Sequence, residues 1–325
     1  MFIVNSNIQK SLAAQLDLEL GGFRVRLQSL DSAITFTHQP QDVCYLPFID
    51  LVYADSPPPD LSITLQAATT KVDWQKALPA PHTIKTDSYY QVTDAPWYYQ
   101  QTTQGQDIFV VPSLEPGIYH QILKLEPDYR HGTLTYNADT QPLPLDPTRL
   151  FGYPLDRLMI ANRLMRDEGF LLHASGIGTP NGVILFTGPS GAGKTTLCQL
   201  SQQFADCTQL CDERIVVRRD PTSPTGYRAY GTPWPGEGNI YNRINGPLAA
   251  IFLISHAPTN QLKPAHDAHA LTWLMREIFP MVWNREGLTF TLDFMADLLE
   301  KLPCYEYGFV PTIEAITYAR QAVGL

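Results

Sequence analysis

The apolar positions of the chain change rhythm about halfway along it. From about Phe23 to Asn137 they come in short alternating bursts: FRVRLQSL, AITFTH, LSITLQAA, SYYQVTD, DIFVVPS, YHQILKL and GTLTYNA. Alternation at every second residue gives a strand one buried and one solvated face, and β-branched and aromatic residues fill these bursts. Pro, Asp, Asn and Gly separate them, as in SPPPD at Ser56 to Asp60, so the pattern predicts a β-rich, antiparallel domain. Also apolar, the start MFIVNSNIQK reads as a short strand. The proline-rich segment DTQPLPLDPTRLFGYPLD, Asp139 to Asp156, predicts a boundary that divides the chain into residues 1–150 and 151–325.

Beyond that segment the period lengthens. Leu155, Leu158, Met159, Asn162 and Met165 share one face of a predicted helix that ends near Gly169. Two strands follow, FLLHASGI and GVILFTG, then a helix from Lys194 to about Phe204 and a strand pair around QLCDERIVVRRD. LAAIFLIS reads as a buried strand, HDAHALTWLMREIF and TLDFMADLLEKL as helices, CYEYGFV as a strand and TIEAITYARQA as a last helix. The predicted second half is α/β.

Composition narrows the classes. With 44% hydrophobic and 17% charged residues in 325, there is enough apolar content for a full core. A net charge of -9 and the lack of a Lys/Arg run argue against a nucleic-acid partner. No apolar stretch approaches bilayer length, which argues against a membrane partner. MFIVNSNIQK lacks the basic head and cleavage site of a signal peptide. Five cysteines form no even framework, and Cys207 and Cys211 lack a second ligand pair at zinc spacing. The expectation is a cytoplasmic protein with reduced thiols, whose oligomeric state, a homo-oligomer included, stays open.

The chemistry concentrates after the second strand. Gly188, Pro189, Ser190, Gly191, Ala192, Gly193, Lys194 and Thr195 match G-x-x-x-x-G-K-[ST] between a strand and a helix. Such glycines let successive backbone N–H groups face one concavity, which binds phosphate oxygens, and the helix start adds positive charge. Lys194 then reaches the β- and γ-phosphates of a nucleotide, ATP or GTP, the Thr195 hydroxyl ligates Mg²⁺, and Thr196 continues the cradle. A carboxylate must help hold the magnesium. Asp212 and Glu213 are the first candidates, and Asp212 follows Lys194 by only 18 residues. That is room for one short helix and a direct return to the sheet. Two adjacent acids permit a division of labour, one at the metal and one accepting the proton of an attacking hydroxyl. The alternative is a solvated charge pair on a hairpin.

A histidine on the strand before the phosphate-loop strand, the motif GPSGAGKTT and a close acidic pair together resemble the catalytic domain of HPr kinase/phosphorylase. That domain is similar in its nucleotide-binding core to ATP-dependent phosphoenolpyruvate carboxykinase. The resemblance covers roughly Tyr153 to the C-terminus, with its motifs in His173 to Glu213. It implies a P-loop kinase fold, with His173 near the transferred phosphate and Asp212 and Glu213 serving magnesium and proton transfer. Glu213 departs from the family's second aspartate in length though not in charge. Where the family carries a glycine-containing signature rich in Glu, Val and Arg, this chain has YGTPWPGEGNIYNRI. The resemblance therefore implies a kinase core acting on a hydroxyl of a peptide, protein or small molecule other than HPr. Similar stand-alone kinases act in bacterial peptide natural-product pathways. A nucleotide-responsive binding module with little turnover is the alternative, and a carboxykinase would need several arginines that the sequence does not place.

Secondary candidates stand outside these motifs. In Gly231 to Gly238, Trp234 reads as an apolar wall and Glu237 as a polar contact of an acceptor loop, against a tight turn with a partly buried tryptophan. Arg243 is placed to neutralise charge on a transferred phosphoryl group, or to make a structural ion pair. His266 and His269 read as polar residues at a helix start rather than a metal half-site, and Trp97, Tyr98 and Tyr99 as β-domain core rather than a binding patch.

Overall fold

The computed structural model describes residues 15–29, 31, 34–37, 40–53, 55–69, 84–85, 97–112, 119–166, 168–265, 268–279 and 285–325. MFIVNSNIQK, SYYQVTD and His266 lie outside them. Contacts divide the chain into two compact units, Met1–Met159 and Ile160–Leu325.

In the first unit the described strands are β1 (Gln15–Leu20), β2 (Phe23–Ser29), β3 (Ile49–Leu51), β4 (Leu61–Ala68), β5 (Ile84–Lys85), β6 (Tyr98–Gln101), β7 (Asp107–Pro112), β8 (Tyr119–Leu125) and β9 (His131–Asn137). They form one sheet in the order β3-β1-β2-β4-β9-β8-β7-β6-β5. The sheet is mixed, which corrects the antiparallel expectation: β4 runs parallel to both β2 and β9. Parallel neighbours cannot be joined by a tight turn, so no local turn signal marks them. The alternation holds in detail. Phe23, Val25 and Leu27 of β2 and Leu61, Ile63 and Leu65 of β4 are buried. AITFTH contributes only a short parallel pairing, in which Thr37 N–H donates to Leu145 O and Leu145 N–H donates to Thr35 O. Trp97 and Tyr99 are buried and pack on Phe109, as core residues do.

Helices α1 (Pro147–Phe151) and α2 (Leu155–Leu164) follow, and the predicted apolar face of α2 is buried. The second unit is mixed α/β. Its strands are β10 (Gly169–Thr179), β11 (Gly182–Thr187), β12 (Thr208–Gln209), β13 (Arg214–Arg219), β14 (Tyr227–Tyr230), β15 (Asn245–His256), β16 (Gln261–Pro264) and β17 (Cys304–Phe309). Its helices are α3 (Lys194–Leu200), α4 (Ala268–Glu277), α5 (Arg285–Lys301) and α6 (Ile313–Ala322). The two long strands change partner along their length. β10 pairs with β13 through Gly169 to His173 and with β11 through Ala174 to Thr179. β15 pairs with β14 at its start, then runs parallel to β11 and β17. Because β11 and β15 are covered on both faces, their apolar residues are nearly continuous. Ile184, Phe186, Phe252 and Ile254 face α3 and α6, while Val183, Leu185, Ile251 and Leu253 face α4 and α5. The helix expected from Lys194 to Phe204 stops at Leu200 and tightens into a 3-10 turn over Ser201–Gln203. Among the described residues no helix is long and apolar enough to cross a membrane.

Candidate functional site

The hairpin of β10 and β11 brings His173 to the start of the glycine loop. Their register pairs Ala174 with Thr187, and the Thr187 hydroxyl donates to His173 O at 2.9 Å. The loop from Gly188 to Gly193 then turns into α3, with Gly191 and Gly193 in left-handed backbone at φ 79° and 102°. Ala192 N–H donates to Pro189 O at 3.1 Å, closing a turn inside the loop. Ser190, Gly191 and Thr196 are exposed. Lys194 is buried, with Nζ donating to Gly188 O at 2.6 Å and Pro189 O at 3.2 Å, so its ammonium lies over the loop. Ser175 Oγ secures the helix start by donating to Lys194 O at 3.0 Å.

Asp212 and Glu213 sit where the chain passes from β12 to β13, both of which pair with β10. They are not a solvated hairpin pair, since Asp212 is fully buried. Its Oδ1 accepts from Gly236 N–H at 3.0 Å and Ile240 N–H at 3.3 Å. Its Oδ2 accepts from Gly238 N–H at 2.8 Å and the Thr195 hydroxyl at 3.3 Å. The glycine–proline segment therefore folds down onto the acid. A Cβ on Gly238 would lie 2.6 Å from Asp212 Oδ2 and 2.5 Å from Thr195 Cγ2, so only glycine fits.

Glu213 turns to the histidine. His173 Nε2 is 3.1 Å from Glu213 Oε2, and His173 Nδ1 is 3.0 Å from Glu277 Oε2 at the end of α4. Ionised carboxylates only accept, so both contacts are hydrogen bonds when each ring nitrogen carries a proton. Burial alone would raise the Glu213 carboxyl. The His173 hydrogen bond and the charges of Arg214, His173 and Lys194 outweigh it and hold the group below its ordinary value. Lys194 shifts down because burial penalises its charge, against the opposing pull of Glu277 and Glu213.

Glu277 escaped the sequence reading because it lies 104 residues from His173. A signal existed: Ala270, Leu274 and Glu277 share the buried stripe of α4, and an acid in an apolar stripe needs a partner. His256 was also missed. It closes β15, and its Nε2 lies 3.1 Å from Gly191 O. Trp234, read as an acceptor wall, is 1% exposed and belongs to the core, its carbonyl accepting from Cys211 Sγ. Glu237 is exposed, and Arg243 is half-buried on the segment that leads from Tyr241 into β15. His269 pairs with Glu306 at 3.3 Å. No disulfide joins the described cysteines.

The residues present fit a magnesium nucleotide. Among the described residues no group of three or more His, Cys, Asp or Glu could hold a metal ion by itself. Magnesium on a nucleotide needs only one or two protein oxygens besides phosphate and water. Thr195 suits this: its hydroxyl donates inward to Asp212 and keeps its lone pairs. A carboxylate has about four acceptor positions, and four donors already meet Asp212. With all four donors in place, Asp212 has no acceptor position to spare for a cation. No family model matches the chain, and no curated protein matches it.

Proposed function

We propose that the second unit is a P-loop kinase core of the HPr kinase type, transferring the γ-phosphoryl group of ATP to a hydroxyl acceptor. The observation that carries this reading is the Glu213–His173–Glu277 chain beside the buried lysine of a phosphate loop. When bound, ATP supplies the phosphoryl group and Mg²⁺ neutralises its charge.

Lys194 leaves its loop carbonyls to meet phosphate oxygens, and the backbone amides of Gly191, Gly193, Lys194 and Thr195 line the cradle. Thr195, held by Asp212, offers its hydroxyl to the cation. Glu213 accepts the acceptor's hydroxyl proton while the new O–P bond forms and the bond from the γ-phosphorus to its bridging oxygen breaks. The electron pair of that broken bond leaves with ADP. His173 holds Glu213 in place and stabilises its ionised form, and Glu277 holds the ring.

The test is incubation with ATP, Mg²⁺ and a panel of hydroxyl-bearing peptides and small alcohols, read by mass spectrometry for an added phosphate. Glu213→Gln lowers transfer about 10²–10⁴-fold while ADP still binds. Full transfer by Glu213→Gln removes the base assignment. ATP that alters the binding of another protein, with no phosphorylated acceptor in any reaction, replaces the kinase with a nucleotide-responsive module.

A further inference from the structure

Helix α4 carries a second stripe beside its buried one. His269, Thr272, Trp273 and Arg276 recur at i, i+3, i+4 and i+7, the spacing that puts side chains on one helix face. With Pro189 of the phosphate loop and Glu277 they line a cleft of about 230 Å³. Glu277 belongs both to this wall and to the hydrogen bond with His173, so the cleft borders the Glu213–His173–Glu277 chain.

Arg276 gives the cleft a cation, set against the Glu277 carboxylate on the same helix. Trp273 Nε1–H is buried and has no partner among the described residues. An indole N–H only donates, and so does the guanidinium of Arg276. His269 is engaged by Glu306 and packs edge-on against Trp273 at 5.9 Å, holding the indole in position. The Thr272 hydroxyl donates back to Ala268 O at 2.7 Å. The Pro189 ring and the indole supply apolar walls. A molecule that satisfies this cleft must bring acceptors, with negative charge opposite Arg276 and an apolar body between the walls. Glu277 on the same wall repels a second anionic group, which sets the side on which the charge must lie.

We propose that this cleft is the acceptor subsite of the kinase, and that it takes a small alcohol bearing a carboxylate, held by Arg276 against the Trp273 and Pro189 walls. The inference rests on the kinase reading. It makes Arg276 and Trp273 specificity-determining residues and directs the acceptor's hydroxyl toward Glu213.

Calorimetry on the full chain with ADP and Mg²⁺ tests it with paired probes: serine, N-acetylserine and 3-phenyllactate, each against its own amide. At least one carboxylate binds about tenfold more tightly than its amide, and 3-phenyllactate leads because its ring fits the walls. Arg276→Gln removes that preference. Trp273→Ala removes the apolar wall and weakens 3-phenyllactate several-fold more than serine. The proposal is overturned if no probe prefers its carboxylate form, or if the preference survives Arg276→Gln. ADP binding in the same titrations separates the two failures. A chain that binds ADP but shows no carboxylate preference loses only this subsite, whereas one that binds no nucleotide loses the kinase reading.

Discussion

Two fully buried aspartates, one in each unit, are held by opposite kinds of donor. Asp107 on β7 accepts from the hydroxyls of Tyr99 (2.9 Å) and Tyr129 and from Gln101 Nε2 at 2.9 Å, all of them side chains. Asp212 accepts from three backbone N–H groups, of Gly236, Gly238 and Ile240, and from one hydroxyl. A hydroxyl can rotate and accept where it had donated, but a backbone N–H cannot. Asp107 therefore sits in a network that adapts, tying neighbouring strands of a sheet together. Asp212 sits in one that specifies, tying a glycine segment to Thr195. Burial alone does not tell these two acids apart, and their donors do.

Asparagine at each position tests that contrast. In Asp212→Asn the side-chain carbonyl keeps Gly236 and Ile240, and the amide is left facing Gly238 N–H, donor against donor. The segment lifts, Thr195 loses its fixed hydroxyl direction, and phosphoryl transfer falls about 10²-fold, as for a displacement of about 1 Å at a reacting centre. Single-turnover kinetics measures it. Wild-type transfer by Asp212→Asn would break the comparison at its functional end.

The matching change in the first unit does far less. In Asp107→Asn the carbonyl keeps Tyr99 and Gln101, and the Tyr129 hydroxyl turns to accept from the new amide. The cost is about 0.5–1.5 kcal/mol, the net worth of one hydrogen bond. Calorimetric melting should show a small shift, with hydrogen exchange placing it in the first unit, and transfer per folded molecule unchanged. Asp107→Ala removes the carboxylate that Tyr99, Tyr129 and Gln101 share and costs more, about 1–3 kcal/mol. Equal costs for the asparagine and alanine variants would show that the network does not adapt.

The two units also differ in how far their sequences foretell them. The second is locally legible: the hairpin of β10 and β11, the glycine loop and the acids paired back onto β10 lie within 45 consecutive residues, Gly169 to Glu213. Glu277 arrives from α4, and only its place on an apolar stripe hints at a buried partner. In the first unit the alternation marks most of the strands but not which lie side by side. The β1–β2 hairpin turns on Gly21 and Gly22, both at positive φ, a two-glycine turn signal that lies just before the first alternating burst. The parallel placement of β4 between β2 and β9 depends on contacts far apart in sequence, which periodicity does not encode.

A third carboxylate sharpens the comparison through pH. Asp297 on α5 is only partly exposed and is held by Lys301, Tyr227 and Arg219 rather than by backbone. The Lys301 and Tyr227 hydrogen bonds, with Arg219 behind them, pull its carboxyl down from 3.8 to about 2. A folded-state value below the unfolded one adds stability that is fully present above the ordinary aspartate range and is lost as pH falls through about 2. The stability gap between wild type and Asp297→Asn, measured by urea titration, should therefore be constant above about pH 4 and close toward pH 2. Surface pairs of this kind contribute on the order of 1 kcal/mol or less, so the gap is the smallest of these effects. A gap that stays open at pH 2 would mean that Asp297 is held by its shape in the α5 packing rather than by its charge.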